Sequence, residues 1–282
     1  MNTLTLQVLR VGSCRHLECM AARGGRWAAV DFPALCGLIH HPQHGWMLYD
    51  TGYATHFLTA TESWPERLYR RALPVTLLPA ELLHTQLASL GLTAADIGTV
   101  IVSHYHGDHI AGLRDFPHAR FIALRADTEH FTALVGKRWR ATLGGHLPAL
   151  LPLDYLSRIF FADDRPLRDL PAWLSPLTRG FDLLGDGRLI GVPLPGHSHG
   201  QLGLFMPDVV GRPVFLVADA CWSLPALREG RLPSRAALFV NAERKRFVET
   251  FHGLAAIAHR EPAVTLLPSH CTFAWETFRD DA

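Results

Sequence analysis

The stretch that most constrains this 282-residue chain is Ser103-His104-Tyr105-His106-Gly107-Asp108-His109. Three histidines and one aspartate fall within six residues, directly after Thr99–Ser103, a short run that reads as a buried strand. Imidazole nitrogen and carboxylate oxygen are ligands that Zn²⁺ accepts at about 2.0–2.2 Å. The spacing is too tight for a helix to set all four on one face. A loop leaving a strand can send His104 and His106 one way and Asp108 and His109 another, which suits two adjacent metals. A surface loop merely rich in histidine is the bland alternative, and the strand leading into the motif weighs against it.

Composition narrows the setting. Hydrophobic residues make up 48% and charged residues 19%, as in a globular protein rather than a disordered one. Lys and Arg number 27 against 26 Asp and Glu, a net charge of +1, so no net field recruits nucleic acid or an anionic membrane. The chain holds 17 histidines, a count that means little until some are spaced for chemistry. The five cysteines (14, 19, 36, 221 and 271) form no C-x-x-C pair, which argues against a disulfide framework and for a reducing cytoplasm. No signal-peptide pattern opens the sequence and no run of about 18 apolar residues predicts a membrane helix.

Along the chain, Leu4, Leu6 and Val8 alternate with polar neighbours as a half-buried strand does, and Leu35–His41 with Trp46–Asp50 reads as a hairpin about a turn at 42–45. Pro79–Leu90 has helical spacing and stops at Gly91. Phe121–Leu124 predicts a strand, followed by a helix over about 126–135. Strand patterns return at Leu189–Leu194, Gln201–Met206, Val214–Ala218 and Val264–Leu267, with a helix over 243–259 between the last two. The stretches 53–80 and 136–180 are less regular and read as insertions forming a lid or an interface. No linker divides the chain, so 1–282 reads as one layered α/β domain.

The H-x-H-x-D-H string resembles the signature of the metallo-β-lactamase superfamily, and four further stations of that family have counterparts here in order. These are Tyr49-Asp50-Thr51-Gly52 at a strand end, Pro195-Gly196-His197-Ser198-His199, Phe215–Asp219 and Leu266–His270. The resemblance implies an αββα sandwich of two mixed β-sheets flanked by helices, with the site at one edge. It implies two Zn²⁺, with iron or manganese as alternatives: His104, His106 and His197 holding one, Asp108, His109 and His270 the other, and Asp219 bridging. Asp50 would lie behind these ligands and orient one of them. His199 reads as a polar neighbour of His197 rather than a ligand.

A dinuclear hydrolase follows, in which a hydroxide shared by two metals attacks an ester or lactone carbonyl, with Asp108 and Asp219 as the catalytic carboxylates. No Gly-x-Ser-x-Gly motif offers a serine nucleophile. Cys221 and Cys271 sit beside expected ligands but read as small buried hydrophobes. The acyl-homoserine-lactone lactonase branch is the most similar. There, a Tyr three residues past the bridging Asp helps to polarise the substrate, whereas this chain has Trp222. Trp222, Tyr105 and Tyr53 are therefore candidate substrate-binding residues. Trp64, Tyr69, Trp139, Leu143, Phe160, Phe161 and Trp173 supply candidate apolar walls from the two insertions. The expected partner is a small, partly apolar molecule; a homodimer is one assembly the sequence leaves open. Competing readings are a glyoxalase-II-type thioesterase, a phosphodiesterase or RNA-processing nuclease (whose H-x-H-G-D-H variant Gly107 matches), an iron-dependent oxygenase, and a binding module without turnover.

Overall fold

The computed structural model describes residues 3–261 and 263–280; Met1 and Asn2, part of the amino-terminal segment read above, lie outside them, as do the last two residues. Among the described residues, thirteen strands form two sheets. They are β1 Thr5–Leu17, β2 Ala29–His41, β3 Gly45–Tyr49, β4 Val75–Thr76, β5 Ile97–Ile101, β6 Arg120–Ala123, β7 Ile159–Phe161, β8 Leu167–Asp169, β9 Arg179–Asp182, β10 Ile190–Pro193, β11 Leu202–Val209, β12 Arg212–Ala218 and β13 Thr265–Pro268. The first sheet runs β4-β1-β2-β3-β5-β6-β7 and the second β13-β12-β11-β10-β9-β8. Both are mixed: β3, β5, β6 and β7 pair in parallel, as do β12 and β13, and the other pairings are antiparallel.

Period-two geometry explains how the first sheet is buried on both faces, because neighbouring side chains on a strand point oppositely. Ile39, Tyr49, Ile101 and Ile122 pack toward the second sheet, against Leu204, Met206, Val214 and Leu216. Their neighbours Leu38, Leu48, Val100 and Phe121 pack the other way, with Phe57, Leu87, Ile110 and Phe131. The second sheet is covered outside by the helix Arg244–Arg260, through Phe247, Phe251, Leu254 and Ile257. The result is two mixed β-sheets face to face with helices outside.

The 53–80 segment holds two short helices, Thr55–Ala60 and Arg67–Ala72, with β4 following. The expected 79–90 helix is split into a 3₁₀ turn at Pro79–Glu81 and an α-helix at Leu83–Ser89. The 136–180 segment differs from the sequence reading. Its first part, around the helix Arg138–Leu143, stands apart from the sheets, while β7 and β8 are edge strands, one in each sheet, and β9 pairs beside β8. These strands span three or four residues, too few for an alternating pattern to show.

Topology gathers the chemistry. Asp50 follows β3 and the 103–109 loop follows β5, and those strands are parallel. His197 follows β10, Asp219 follows β12 and His270 follows β13. Because β10 is antiparallel to β11 and β11 to β12, these three strands point the same way. Backbone bonds join the two sheets here, from Leu202 N to Ser103 O (2.8 Å) and from Leu35 N to Ser269 O (3.0 Å). The Tyr49 hydroxyl adds a third link by donating to Leu202 O at 2.7 Å.

Candidate metal centre

Seven of the sequence-selected groups meet at this edge. The Nδ1 of His106 lies 3.0 Å from His104 Nε2 and 2.9 Å from His197 Nε2. Across the site, His270 Nε2 lies 3.4 Å from Asp108 Oδ2, and His109 Nε2 lies 3.9 Å from Asp108 Oδ1. Asp219 stands between the two groups. Its Oδ2 is 3.3 Å from His197 Nε2, while its Oδ1 is 3.3 Å from His109 Nε2 and 3.2 Å from His270 Nε2. Potential metal-holding triads are therefore His104/His106/His197 and Asp108/His109/His270, with His104/His109/Asp219 linking them.

Local backbone explains several of these positions. Asp50 has φ 61°, and Ala218, immediately before Asp219, has φ 48°, so both strands end in a left-handed residue that turns the chain sharply at the site. Gly196 has φ 128°, and a Cβ there would lie 2.1 Å from the backbone nitrogen of Phe247. The turn presenting His197 thus rests directly on the helix Arg244–Arg260, and only glycine fits.

The far nitrogens of four histidines are engaged. His109 Nδ1 donates to Asp50 Oδ2 at 2.7 Å, and Asp50 Oδ1 accepts from Ser103 N at 2.7 Å. The Ser103 hydroxyl donates its single proton to Asp50 Oδ2 and so accepts from His104 Nδ1 at 3.0 Å. His197 Nδ1 donates to Asn241 Oδ1 at 2.9 Å, and His270 Nδ1 donates to Pro33 O at 2.7 Å. Each of these bonds puts the proton on Nδ1 and turns the Nε2 lone pair inward.

This arrangement fits a pair of cations and is unfavourable without them. Four inward lone pairs converge with two buried carboxylates, Asp108 and Asp219. One proton on His106 Nδ1 can serve only one of the two lone pairs it faces. His109 Nε2 and Asp219 Oδ1 are buried with no hydrogen-bond partner, an arrangement that costs stability unless a cation satisfies it. The electrostatics divide accordingly. Burial, then the neighbouring imidazoles, pushes His104 well below the ordinary histidine range, and burial pushes His106 down to about 3. On the other side burial opposes charge on His109 and His270, but Asp50, Asp108 and Asp219 outweigh it for the first and Asp219 with Asp108 for the second, raising both. Burial works against the charge of Asp219 too, yet His270, His109 and His197 hold its carboxyl well below the usual range.

A cavity of about 410 Å³ opens from these groups. Its polar end is His106, Asp108, His197, Asp219 and His270, and its walls include Met20, Phe32, Leu68, Tyr69, Leu73 and Leu143. Among the described residues, no Lys or Arg lines it. Both irregular segments contribute: Leu68, Tyr69, Ala72 and Leu73 come from one, and Thr142 to Gly145 from the other. Arg138 joins them, with Nε 2.8 Å from Glu66 Oε1 and Nη2 2.6 Å from Glu66 Oε2.

Three substrate-binding expectations meet different outcomes. Trp222 lines the cavity, but its indole N–H is already donated to Asp219 Oδ2 at 3.0 Å. Tyr105 is a correction: it is buried on the far side of its loop, its hydroxyl 2.6 Å from Thr128 Oγ1 and 2.7 Å from Tyr155 Oη. A residue between two inward-facing neighbours of an extended loop points outward. Tyr53 is a second correction. It is buried against Phe57, at a ring separation of 5.0 Å, and lies outside the cavity lining. Of the apolar candidates, Tyr69 and Leu143 reach the cavity, whereas Trp173 is partly buried against Phe205 at a ring separation of 5.7 Å. His199 lies outside the seven, its ring 4.1 Å from that of His130. Cys221 and Cys271 are buried, and Cys271 Sγ accepts from Leu224 N at 3.2 Å. Sequence reasoning missed Asn241, Ser103 and the Pro33 carbonyl. Only Ser103, beside His104, had a local signal.

Comparison with known proteins agrees with this geometry. The profile of the metallo-beta-lactamase superfamily matches residues 29–210. An N-acyl homoserine lactonase AttM of Azorhizobium caulinodans is 27% identical over 281 residues, covering 99% of this chain and 97% of its own. An N-acyl homoserine lactonase AiiB of Agrobacterium fabrum is 31% identical over 217 residues, covering 72% of this chain and 70% of its own. Among solved structures, a B. thuringiensis AiiA variant with N-decanoyl-L-homoserine at its active site superposes with a TM-score of 0.70 at 15% identity, covering 98% of this chain and 97% of its own. The dizinc quorum-quenching lactonase AidC superposes with a TM-score of 0.64 at 15% identity, covering 96% of this chain and 88% of its own. Profile, relatives and fold agree, and the chain belongs to the metallo-beta-lactamase superfamily, among its lactonase-like hydrolases.

Proposed function

We propose that this protein is a dinuclear zinc hydrolase that opens lactones carrying an apolar acyl chain. The observation that carries the reading is the junction of the seven-group centre with an apolar cavity that, among the described residues, no Lys or Arg lines. Phosphodiesters would favour cationic walls, whereas an acyl chain favours these. The names of the relatives, N-acyl homoserine lactonases, point to the same substrate class.

His104, His106 and His197 would hold one ion, Asp108, His109 and His270 the other, and Asp219 would offer one oxygen to each. Two bound zinc ions supply Lewis acidity and a hydroxide at neutral pH. Asp50, Ser103, Asn241 and the Pro33 carbonyl fix the tautomer of the histidines, so that the centre stands formed before substrate enters. The apolar walls exclude water and align the acyl chain, which sets the ester group against the polar end. Asp108, at the cavity surface, is positioned to carry a proton to the leaving alkoxide, and the Trp222 indole holds the Asp219 carboxylate in orientation.

The test is a panel of acyl lactones, thioesters and phosphodiesters, assayed on the protein as purified, after chelation and after zinc is returned. Lactones turn over fastest, chelation abolishes turnover and zinc restores it. Turnover of thioesters or phosphodiesters alone, or one bound iron with a visible absorption band, would contradict the reading.

A further inference from the structure

The indole of Trp222 cannot orient a substrate oxygen, because its one donor is committed to Asp219. A different side chain brings a donor to the cavity. Tyr69, on the short helix Arg67–Ala72, lines the cavity beside Asp108 and places its hydroxyl 3.4 Å from Asp108 Oδ1. At that length the bond is weak, so the phenolic proton is free to turn to a better acceptor.

The approach of this ring is built into the metal loop itself. A Cβ on Gly107 would lie 2.9 Å from Phe57 and 3.2 Å from Tyr69 Cε1, so the absence of a side chain within the H-x-H-G-D-H run opens the space that the phenol fills. Phe57 meets the Tyr69 ring edge-on at 5.3 Å and Tyr53 backs Phe57 at 5.0 Å, so the ring is braced from that side. The clamp of Arg138 on Glu66 anchors the start of the same helix.

We propose that the Tyr69 hydroxyl donates a hydrogen bond to the ester group under attack, supplying from the 53–80 segment the donor that position 222 lacks. The inference rests on the lactone-hydrolase reading above and deepens it. No proton is transferred: the phenol leaves its long bond to Asp108 and stabilises negative charge growing on a substrate oxygen.

The test compares zinc-loaded wild type with Tyr69→Phe and Tyr53→Phe on N-decanoyl-homoserine lactone, reading kcat, KM and bound zinc. Tyr69→Phe keeps the ring and loses only the hydroxyl. It lowers kcat by about 10- to 100-fold while zinc content stays at the wild-type value and KM moves by less than about threefold. Tyr53→Phe, outside the cavity, leaves kcat and KM within about twofold. Wild-type kcat in Tyr69→Phe overturns the inference and leaves the lactone-hydrolase reading standing. Loss of zinc from Tyr69→Phe, or an equal fall in Tyr53→Phe, overturns it in favour of a structural role. A wild type that binds zinc but opens no lactone overturns the underlying reading, and the inference with it.

Discussion

Four of the five imidazoles facing the centre are held by their outer nitrogen, each by a different kind of acceptor: a serine hydroxyl, a carboxylate, a side-chain amide and a backbone carbonyl. Asn241 is the informative one, since it reaches His197 from outside the helix that supports that loop and is itself fixed by donating to Ala237 O at 3.3 Å. Asn241→Ala frees the His197 ring, and zinc affinity falls by about 10- to 100-fold in a chelator competition. At Gly196 the constraint is steric. Gly196→Ala forces a Cβ into the backbone of Phe247 and destabilises the fold by at least about 2 kcal/mol, measured by denaturant unfolding. Residues of this scale were unevenly legible. Spacing within one loop revealed His104, His106, Asp108 and His109 as a cluster, while Asn241, 44 residues from its partner, had no local pattern to mark it. Tyr105 misled for the opposite reason: it adjoins two site residues in sequence, but alternation turns it away.

The two irregular segments act through Arg138. Its guanidinium spans from the helix Arg138–Leu143 to Glu66, at the head of the helix carrying Tyr69. Arg138→Met releases that clamp without touching the centre, so KM for a long-chain lactone rises roughly tenfold while bound zinc is unchanged. The β2–β3 hairpin is held differently. His41 Nδ1 accepts from Gln43 N (3.2 Å) and His44 N (3.3 Å), while Nε2 donates to Asp186 Oδ2 at 2.9 Å. This requires a neutral ring, and burial lowers the His41 pKa from the ordinary 6.5 despite Asp186. The unfolded chain then binds the extra proton more readily than the folded one. Stability from His41 is full above about 6.5 and is lost as pH falls from there through the folded pKa. Denaturant unfolding across that window loses this slope in His41→Gln. At this scale the long sheet strands were legible from alternation, whereas β7, β8 and β9 were not, because their side chains are set by neighbouring strands rather than by a repeat of their own.

Across the whole molecule, β3 and β5 of one sheet and β10, β12 and β13 of the other turn their carboxyl ends to the same edge, and the centre is the seam between them. The ordered stations between Asp50 and His270 made this architecture legible in the sequence, since a single site drawing on five strand ends requires them to converge. The cavity was less legible: its walls combine β1, β2, both irregular segments and Ala237 to Val240, which no single stretch of sequence brings together. Because the centre ties both sheets, metal binding should stabilise the fold as a unit, and chelation should lower its melting temperature by an amount that grows with free zinc in the loaded sample.

The most direct measurement is a zinc titration of metal-free protein, followed by proton release on opening of N-decanoyl-homoserine lactone. The account predicts that activity rises until two zinc ions are bound per chain and then levels off. Full activity at one ion, or none with two bound, would contradict it.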